Sequence, residues 1–390
     1  MPEGANVAYG LGAYVMGALF TAMVLAAPSA SASHGNSLHA KASEFAHFGV
    51  PIAGVAGDQK VVFGGAPLTG SVIVLSRADR HKIGELPPPP QGFALPFIIH
   101  SLGEGKVGIL DAGGLPQPEP FVPATPRIYE YDYTYSKTGG FSATLSRTVS
   151  FAAAFIGFTE DFVRLDDGRY LISDAVLGSI WIAEPDGNIV PGIIPRTFDP
   201  ADFIPTLALC PTMPEVTVNG YPSLFTGSTI PGISPLAVRH GTVYYYSPCA
   251  RGIYSFPLSI LSDQRQPWER AADIRLVVAT PADVEVEELL DFTFNPYNHA
   301  DKYLYAADPL ALRVIRIDLE TGARQVVAKG AELFDFPSSL GFVPPVDGDS
   351  DESTLLVVSN QQERSPLTND AVIDTTFHLP FIVTKVRIEH

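Results

Sequence analysis

From Leu290 to Gly330 the chain runs LDFTFNPYNHADKYLYAADPLALRVIRIDLETGARQVVAKG. Apolar and polar positions alternate in short runs rich in Tyr, Val, Ile and Phe, a period-two pattern that predicts half-buried strands. The runs break at Asn295-Pro296-Tyr297-Asn298 and at Glu320-Thr321-Gly322, residues that favour tight turns. The segment therefore reads as four antiparallel strands. The same grammar recurs in DFVRLDDGRYLISDAVLGSIWIAEPDGN from Asp161 and in PLAVRHGTVYYYSPCARGIYSFP from Pro235. It recurs in FIIHSLGEGKVGILDAG from Phe97, resuming as RIYEYDY, and in VVFGGAPLTGSVIVL within Val55 to Leu75. A last copy holds LGFVPPVDGDSDESTLLVVSN and resumes as FIVTKVRI.

Six copies of a four-stranded unit predict an all-β, six-bladed β-propeller, because one such unit cannot bury both of its faces alone. A pair of β-sandwiches lacks this repeat, and β-helix repeats are much shorter. The last unit is one outer strand short, and Glu44 to Phe48 is expected to supply it and close the ring. In a propeller the innermost strand of each blade runs downward from the top face. Loops between blades, and loops between second and third strands, then lie on that face. Three long interruptions fall there: Gly113 to Pro126, Ile193 to Ile233, and Gln361 to Pro380. Long structured loops crowding one mouth suggest a lid.

The start of the chain changes the expected compartment. Leu11 to Ala27 is almost wholly apolar, and Ala30-Ser31-Ala32 offers a small-x-small cleavage pattern. Residues 1–32 are read as a signal peptide, with the mature chain starting near Ser33. Residues 33–49 then form an N-terminal segment and 50–390 the propeller. No Lys or Arg precedes the apolar run, so a retained membrane anchor is the alternative. A secreted or periplasmic location permits a Cys210–Cys249 disulfide, since both cysteines map to the top face. The net charge of −17 excludes a phosphate-gripping surface, so no nucleic acid partner is expected. It also disfavours anionic membranes, so no stable membrane partner is expected once the signal is removed.

Residues at the starts of the innermost strands ring the channel top. Glu160, Asp161 and Asp291 bring carboxylates there, and Ser234, Ser338 and Ser339 bring hydroxyls. Carboxylates converging in a narrow channel repel unless a cation or a shared proton compensates. Glu160, Asp161 and Asp291 are therefore the candidate catalytic residues, and Ser234, Ser338 and Ser339 the candidate substrate contacts. Glu160 and Asp291 are candidate ligands of Ca²⁺ or another divalent cation, which takes oxygen donors. No organic cofactor is expected. Asp111, Asp174, Asp308 and Asn360 recur at the ends of second strands, where such side chains cap turns. Asp347, Asp349 and Asp351 read as a solvated acidic hairpin tip rather than a calcium loop. His100 and His240 fall near the bottoms of inner strands and read as turn residues. There is no G-x-S-x-G, H-E-x-x-H, P-loop or Rossmann motif.

In YLISDAVLGSIWIAEPDG and KYLYAADPLALRVIRIDLETG the chain resembles the gluconolactonase/regucalcin and strictosidine-synthase-like superfamily of six-bladed propellers. The resemblance spans most of the chain after about Val50. A gluconolactonase-like member would hold one divalent cation at inner-strand starts, with Glu160 in the Glu role. Where that pattern has Asn or Asp, this chain has Ser234-Pro235, Leu290-Asp291 and Ser338-Ser339. A strictosidine-synthase-like member would lack the metal and use a channel Glu, Glu160 or Glu288, as acid/base. Three functions follow: a hydrolase of a small lactone or ester, possible with metal assistance; a metal-free cyclase or lyase; and a non-catalytic binding propeller for a small molecule or protein.

Overall fold

The computed structural model describes residues 42–114, 125–197, 199–207, 216–223, 232–345, 353–364 and 377–388. These residues form six four-stranded antiparallel sheets and one two-stranded hairpin. The first blade comprises β2 (Val55–Gly57), β3 (Val61–Ala66), β4 (Ser71–Ser76) and β5 (Lys82–Glu85). The second comprises β6 (Pro96–Ser101), β7 (Lys106–Asp111), β8 (Arg127–Ser136) and β9 (Gly140–Ser150). The third comprises β10 (Phe162–Arg164), β11 (Tyr170–Asp174), β12 (Ser179–Ala183) and β13 (Ile189–Ile193). A hairpin of β14 (Val216–Val218) and β15 (Tyr221–Ser223) follows. The fourth blade comprises β16 (Leu236–Arg239), β17 (Thr242–Ser247), β18 (Gly252–Pro257) and β19 (Arg275–Ala279). The fifth comprises β20 (Asp291–Phe294), β21 (Tyr303–Asp308), β22 (Arg313–Asp318) and β23 (Arg324–Lys329).

The sixth blade is built from both ends of the described chain. β24 (Pro337–Val343), β25 (Ser353–Ser359) and β26 (Phe381–Ile388) supply three strands, and β1 (Ala42–Phe48) supplies the outermost. β1 runs antiparallel to β26, from Ala42 opposite Val386 to Phe48 opposite Phe381. The expected ring closure by Glu44 to Phe48 is thus present. It covers an edge that would otherwise expose unpaired backbone groups.

Apolar faces of neighbouring blades bury against one another, so the core is divided into the gaps between blades. Phe45, Phe48 and Phe381 pack with Val55, Val62 and Leu75 between the sixth and first blades. Val61, Phe63, Ile99 and Tyr131 fill the next gap, and equivalent clusters fill the other four. This explains why strands such as β11, YLISD, are buried along their whole length. Gly54 lets the first two inner strands approach closely. A Cβ there would lie 2.7 Å from the Phe97 carbonyl oxygen and 2.8 Å from the Ile99 nitrogen.

Among the described residues no helix is long and apolar enough to cross a membrane. The apolar N-terminal run, the cleavage pattern, Cys210 and the Asp347–Asp349–Asp351 run lie outside the described residues.

Candidate functional site: a charged belt in a capped channel

The channel is walled by β2, β6, β10, β16, β20 and β24, the first strand of each blade. Asp161, immediately before β10, is 2% exposed and bonds in three directions. Its Oδ1 accepts the amide of Phe162 at 2.7 Å and faces His100 Nε2, on β6, at 2.9 Å. Its Oδ2 accepts the amide of Leu236, at the start of β16, at 2.8 Å. One carboxylate therefore ties the second, third and fourth blades together. Asp291 does the same between the fifth and sixth. Its Oδ2 accepts the Leu340 amide at 2.7 Å and the Ser339 hydroxyl at 3.0 Å. Both aspartates belong to a belt of hydrogen bonds that runs from one inner strand to the next.

His100 is the candidate residue that sequence reasoning passed over. Counted along β6 it sits near the strand's end, which suggested a turn near the channel bottom. In the ring it pairs with the residue that precedes β10, because the inner strands start at different heights. Its ring also lies against Phe162, with centroids 4.8 Å apart. The His100 side chain retains 33% exposure while the Asp161 side chain retains 3%. His240, by contrast, sits in a turn with φ of 49°, as expected.

The belt is electrostatically tense. Burial alone would pull the His100 pKa down. The charge and hydrogen bond of Asp161, with Asp291 behind it, outweigh burial and raise it above 6.5. Burial and the Asp161 charge push Asp291 up to about 7, against opposing bonds from Leu340 and Ser339. Burial, then Asp161, pushes Glu160 to about 8. Burial, then Glu160 and Asp308, pushes Glu288 to about 8. Glu160 and Glu288 are thus largely neutral at pH 7 and can donate protons.

The structure distributes the predicted contact residues unevenly. Ser339 supports Asp291. The hydroxyls of Ser234 and Ser338 are buried without a hydrogen-bond partner, as are Thr159 Oγ1 and Glu288 Oε2. Thr159, Ser234 and Glu288 precede the inner strands of the third, fourth and fifth blades, and Ser338 is the second residue of β24. The second-strand carboxylates are caps. Asp174 accepts the amides of Gly157, Phe158, Val176 and Leu177. Asp111 accepts those of Ala94, Leu95 and Gly113. Asp308 holds Ala311 and Arg313, and Asn360 holds Gln362.

A hard cation needs several converging oxygen ligands. Among the described residues no three of His, Cys, Asp and Glu are grouped to share an ion. Both Asp161 oxygens are already committed, Leu290 offers no donor, and Ser234 and Ser338 are weak substitutes for carboxylates. The described residues do not form the ligand set of a divalent cation.

Two of the three insertions meet over the mouth. Val218 of the β14–β15 hairpin buries against Phe336, with Cys249, Leu290, Leu310 and Leu312 around them. Arg364, in the insertion before β26, donates to Tyr221 Oη at 2.7 Å and lies over its ring at 4.5 Å. It also donates to Asp335 Oδ2 at 2.9 Å, and Asn219 Nδ2 donates to Asp335 Oδ1 at 2.5 Å. The hairpin that leaves the third blade is therefore anchored on the fifth and sixth, with Leu290, the neighbour of Asp291, in the same apolar cluster. Beside this anchor burial, then Asp335, pushes the wholly buried Glu363 to about 8.

These shifts make folding stability depend on pH with one sign. Glu160, Asp174, Glu288, Asp291 and Glu363 all have folded pKa values raised above their unfolded ones. The folded state therefore binds more protons than the unfolded state between about pH 4 and pH 8. The contribution of these five groups is full below that window and falls as pH rises through it. The raised His100 adds a loss of the same sign as pH passes its folded pKa. The thermal midpoint is expected to drop between pH 5 and pH 8.5, measured by differential scanning calorimetry. Glu288→Gln, which mimics the neutral carboxyl, should make the drop smaller. A midpoint that rises over that range contradicts the assignment.

No protein-family profile matches the chain, and no curated protein matches it in sequence. Solved structures do match in fold. The major Malassezia sympodialis allergen Mala s 1 aligns with a TM-score of 0.53 at 11% identity, over 85% of this chain and 91% of that one. A luciferin-regenerating enzyme aligns with a TM-score of 0.51 at 13% identity, over 89% and 95%. A protein described as a gluconolactonase aligns with a TM-score of 0.50 at 11% identity, over 90% and 95%. At such identities the likeness is one of fold, and the chain is a six-bladed β-propeller of the architecture these proteins share.

Proposed function

We propose that the protein is a small-molecule hydrolase acting on a lactone or ester in the capped channel. The observation that carries this reading is the His100–Asp161 pair, one partner buried and the other a third exposed. With Nε2 held by the carboxylate, Nδ1 is the basic nitrogen of the neutral ring. It takes a proton from water as the water oxygen bonds to the substrate carbonyl carbon. Asp161 balances the imidazolium that forms. When the tetrahedral intermediate collapses and the C–O bond breaks, the leaving alkoxide takes a proton from the imidazolium or from neutral Asp291. Neutral Glu160 and Glu288 can donate hydrogen bonds to the substrate's oxygens.

His100→Ala is expected to lower kcat by about 10²–10⁴-fold on a panel of lactones and aryl esters, with the circular dichroism spectrum unchanged. Activity should rise as His100 loses its proton and fall as Asp291 and the two glutamic acids lose theirs, giving a bell within about pH 6–9. Equal turnover by His100→Ala rejects the proposal.

The neutral Glu160 and Glu288 favour a second reading, a metal-free cyclase or lyase with a glutamic acid as acid/base. Turnover in H₂¹⁸O separates the two. Hydrolysis places the label in the product carboxylate, whereas cyclisation or elimination leaves the product unlabelled. Neither label nor turnover is expected of a binding propeller.

We also propose export with cleavage before Ser33, and a Cys210–Cys249 disulfide. Among the described residues there is no free cysteine, and Cys249 packs at the base of the cap. Intact mass spectrometry of the secreted protein, run without reductant, is expected to give the chain from Ser33 less two hydrogens. Retention of residues 1–32 argues for the anchor, and two free thiols remove the disulfide.

A further inference from the structure

On the face opposite the cap, the turns that end the inner strands enclose a cavity of about 560 Å³. It lies among the β2–β3, β6–β7 and β20–β21 turns, and Tyr133, Tyr135 and Tyr297 supply its aromatic walls. Its size is that of an ordinary small-molecule site.

Tyr297 is 41% exposed, yet its backbone is firmly placed. Its amide donates to Asn295 Oδ1 at 3.0 Å, and buried Asn295 is itself tied to Ser353 at 2.8 Å. Across the cavity Asp58 is fully committed. Its Oδ1 accepts the Lys60 and Val61 amides, and its Oδ2 accepts the Tyr133 hydroxyl at 2.8 Å. Asp58 therefore holds the wall together rather than offering charge to a ligand. With Tyr133 bonded to Asp58 and buried, the lining residues left to meet a ligand are Tyr135 and Tyr297 with the polar side chains of Gln59, Lys60, Ser101, Glu104 and Thr134. Donors and acceptors of both signs select for no net charge. Flat aromatic faces beside them suit a ring with one apolar C–H face and hydroxyls on its rim.

We propose that this cavity is a saccharide-binding site, separate in place from the channel belt. Isothermal titration of the whole protein with D-glucose, maltose and cellobiose is the test. At least one should bind, Tyr297→Ala should weaken it about tenfold, the loss of one stacking face, and His100→Ala should leave it unchanged. Tyr297 is exposed, so its replacement leaves the fold intact, and an unchanged thermal midpoint checks this. The proposal is overturned if none of the three sugars binds. It is equally overturned if binding survives Tyr297→Ala, is lost in His100→Ala, or is found for choline in place of the sugars.

Discussion

Asp161→Ala is expected to lower folding stability by about 3–5 kcal/mol, the cost of removing one partner from a buried, hydrogen-bonded charge pair. The change leaves His100 facing an apolar methyl, and it orphans the Phe162 and Leu236 amides at once. Leu236 begins the inner strand of the next blade, so the loss loosens the third blade against the fourth as well as the site. Urea titration of wild type and variant reads the effect as a shift in midpoint with little change in slope. Asp161→Asn keeps the shape and one acceptor oxygen, and should fall between the two. A midpoint for Asp161→Ala within experimental scatter of wild type contradicts the role given to the belt.

Removal of residues 1–49 should have the other large effect. That truncation deletes β1 and uncovers the edge of β26 from Phe381 to Val386. It also takes Phe45 and Phe48 out of the gap between the sixth and first blades, each contributing about 1.5–3 kcal/mol of burial. The ring then has an open seam with an exposed edge strand, a template for aggregation. Truncation at Ser33 leaves β1 whole and should cost nothing. Size-exclusion chromatography is expected to give a monodisperse peak for the chain from Ser33 and aggregate for the chain from Val50. Equal behaviour of the two removes β1 from the account of closure.

The ring was readable in the sequence because its information is local and repeated. Alternation such as KYLYAAD followed by RVIRID fixes strands, and Asp-Gly or Glu-Thr-Gly fixes turns, in each blade independently. Even the closing strand showed itself, since the sixth unit lacked one. Asp161, Asp291 and Ser339 were legible as inner-strand residues, and Asp174 and its counterparts as caps. His100 was not, because its role depends on how far one blade is offset along the axis from the next. That offset is a relation between blades, seen in the His100–Asp161 contact across 61 positions, and no single repeat carries it. The mutual anchoring of Arg364, Tyr221 and Asp335 was hidden for a similar reason. The insertions carry no repeat, and Tyr221 and Arg364 are 143 positions apart in the chain.

The channel site rests on a charge relation between two side chains, and a proton titration of His100 reads it directly. The Cε1–H resonance of His100, assigned by its absence from His100→Ala, is to be followed against pH in wild type and in Asp161→Asn. Wild type should titrate above the ordinary 6.5 because the Asp161 charge outweighs burial. Asp161→Asn should titrate below it, since burial then acts without the compensating charge. A wild-type midpoint at or below 6.5, or a midpoint that Asp161→Asn leaves unmoved, would contradict the account.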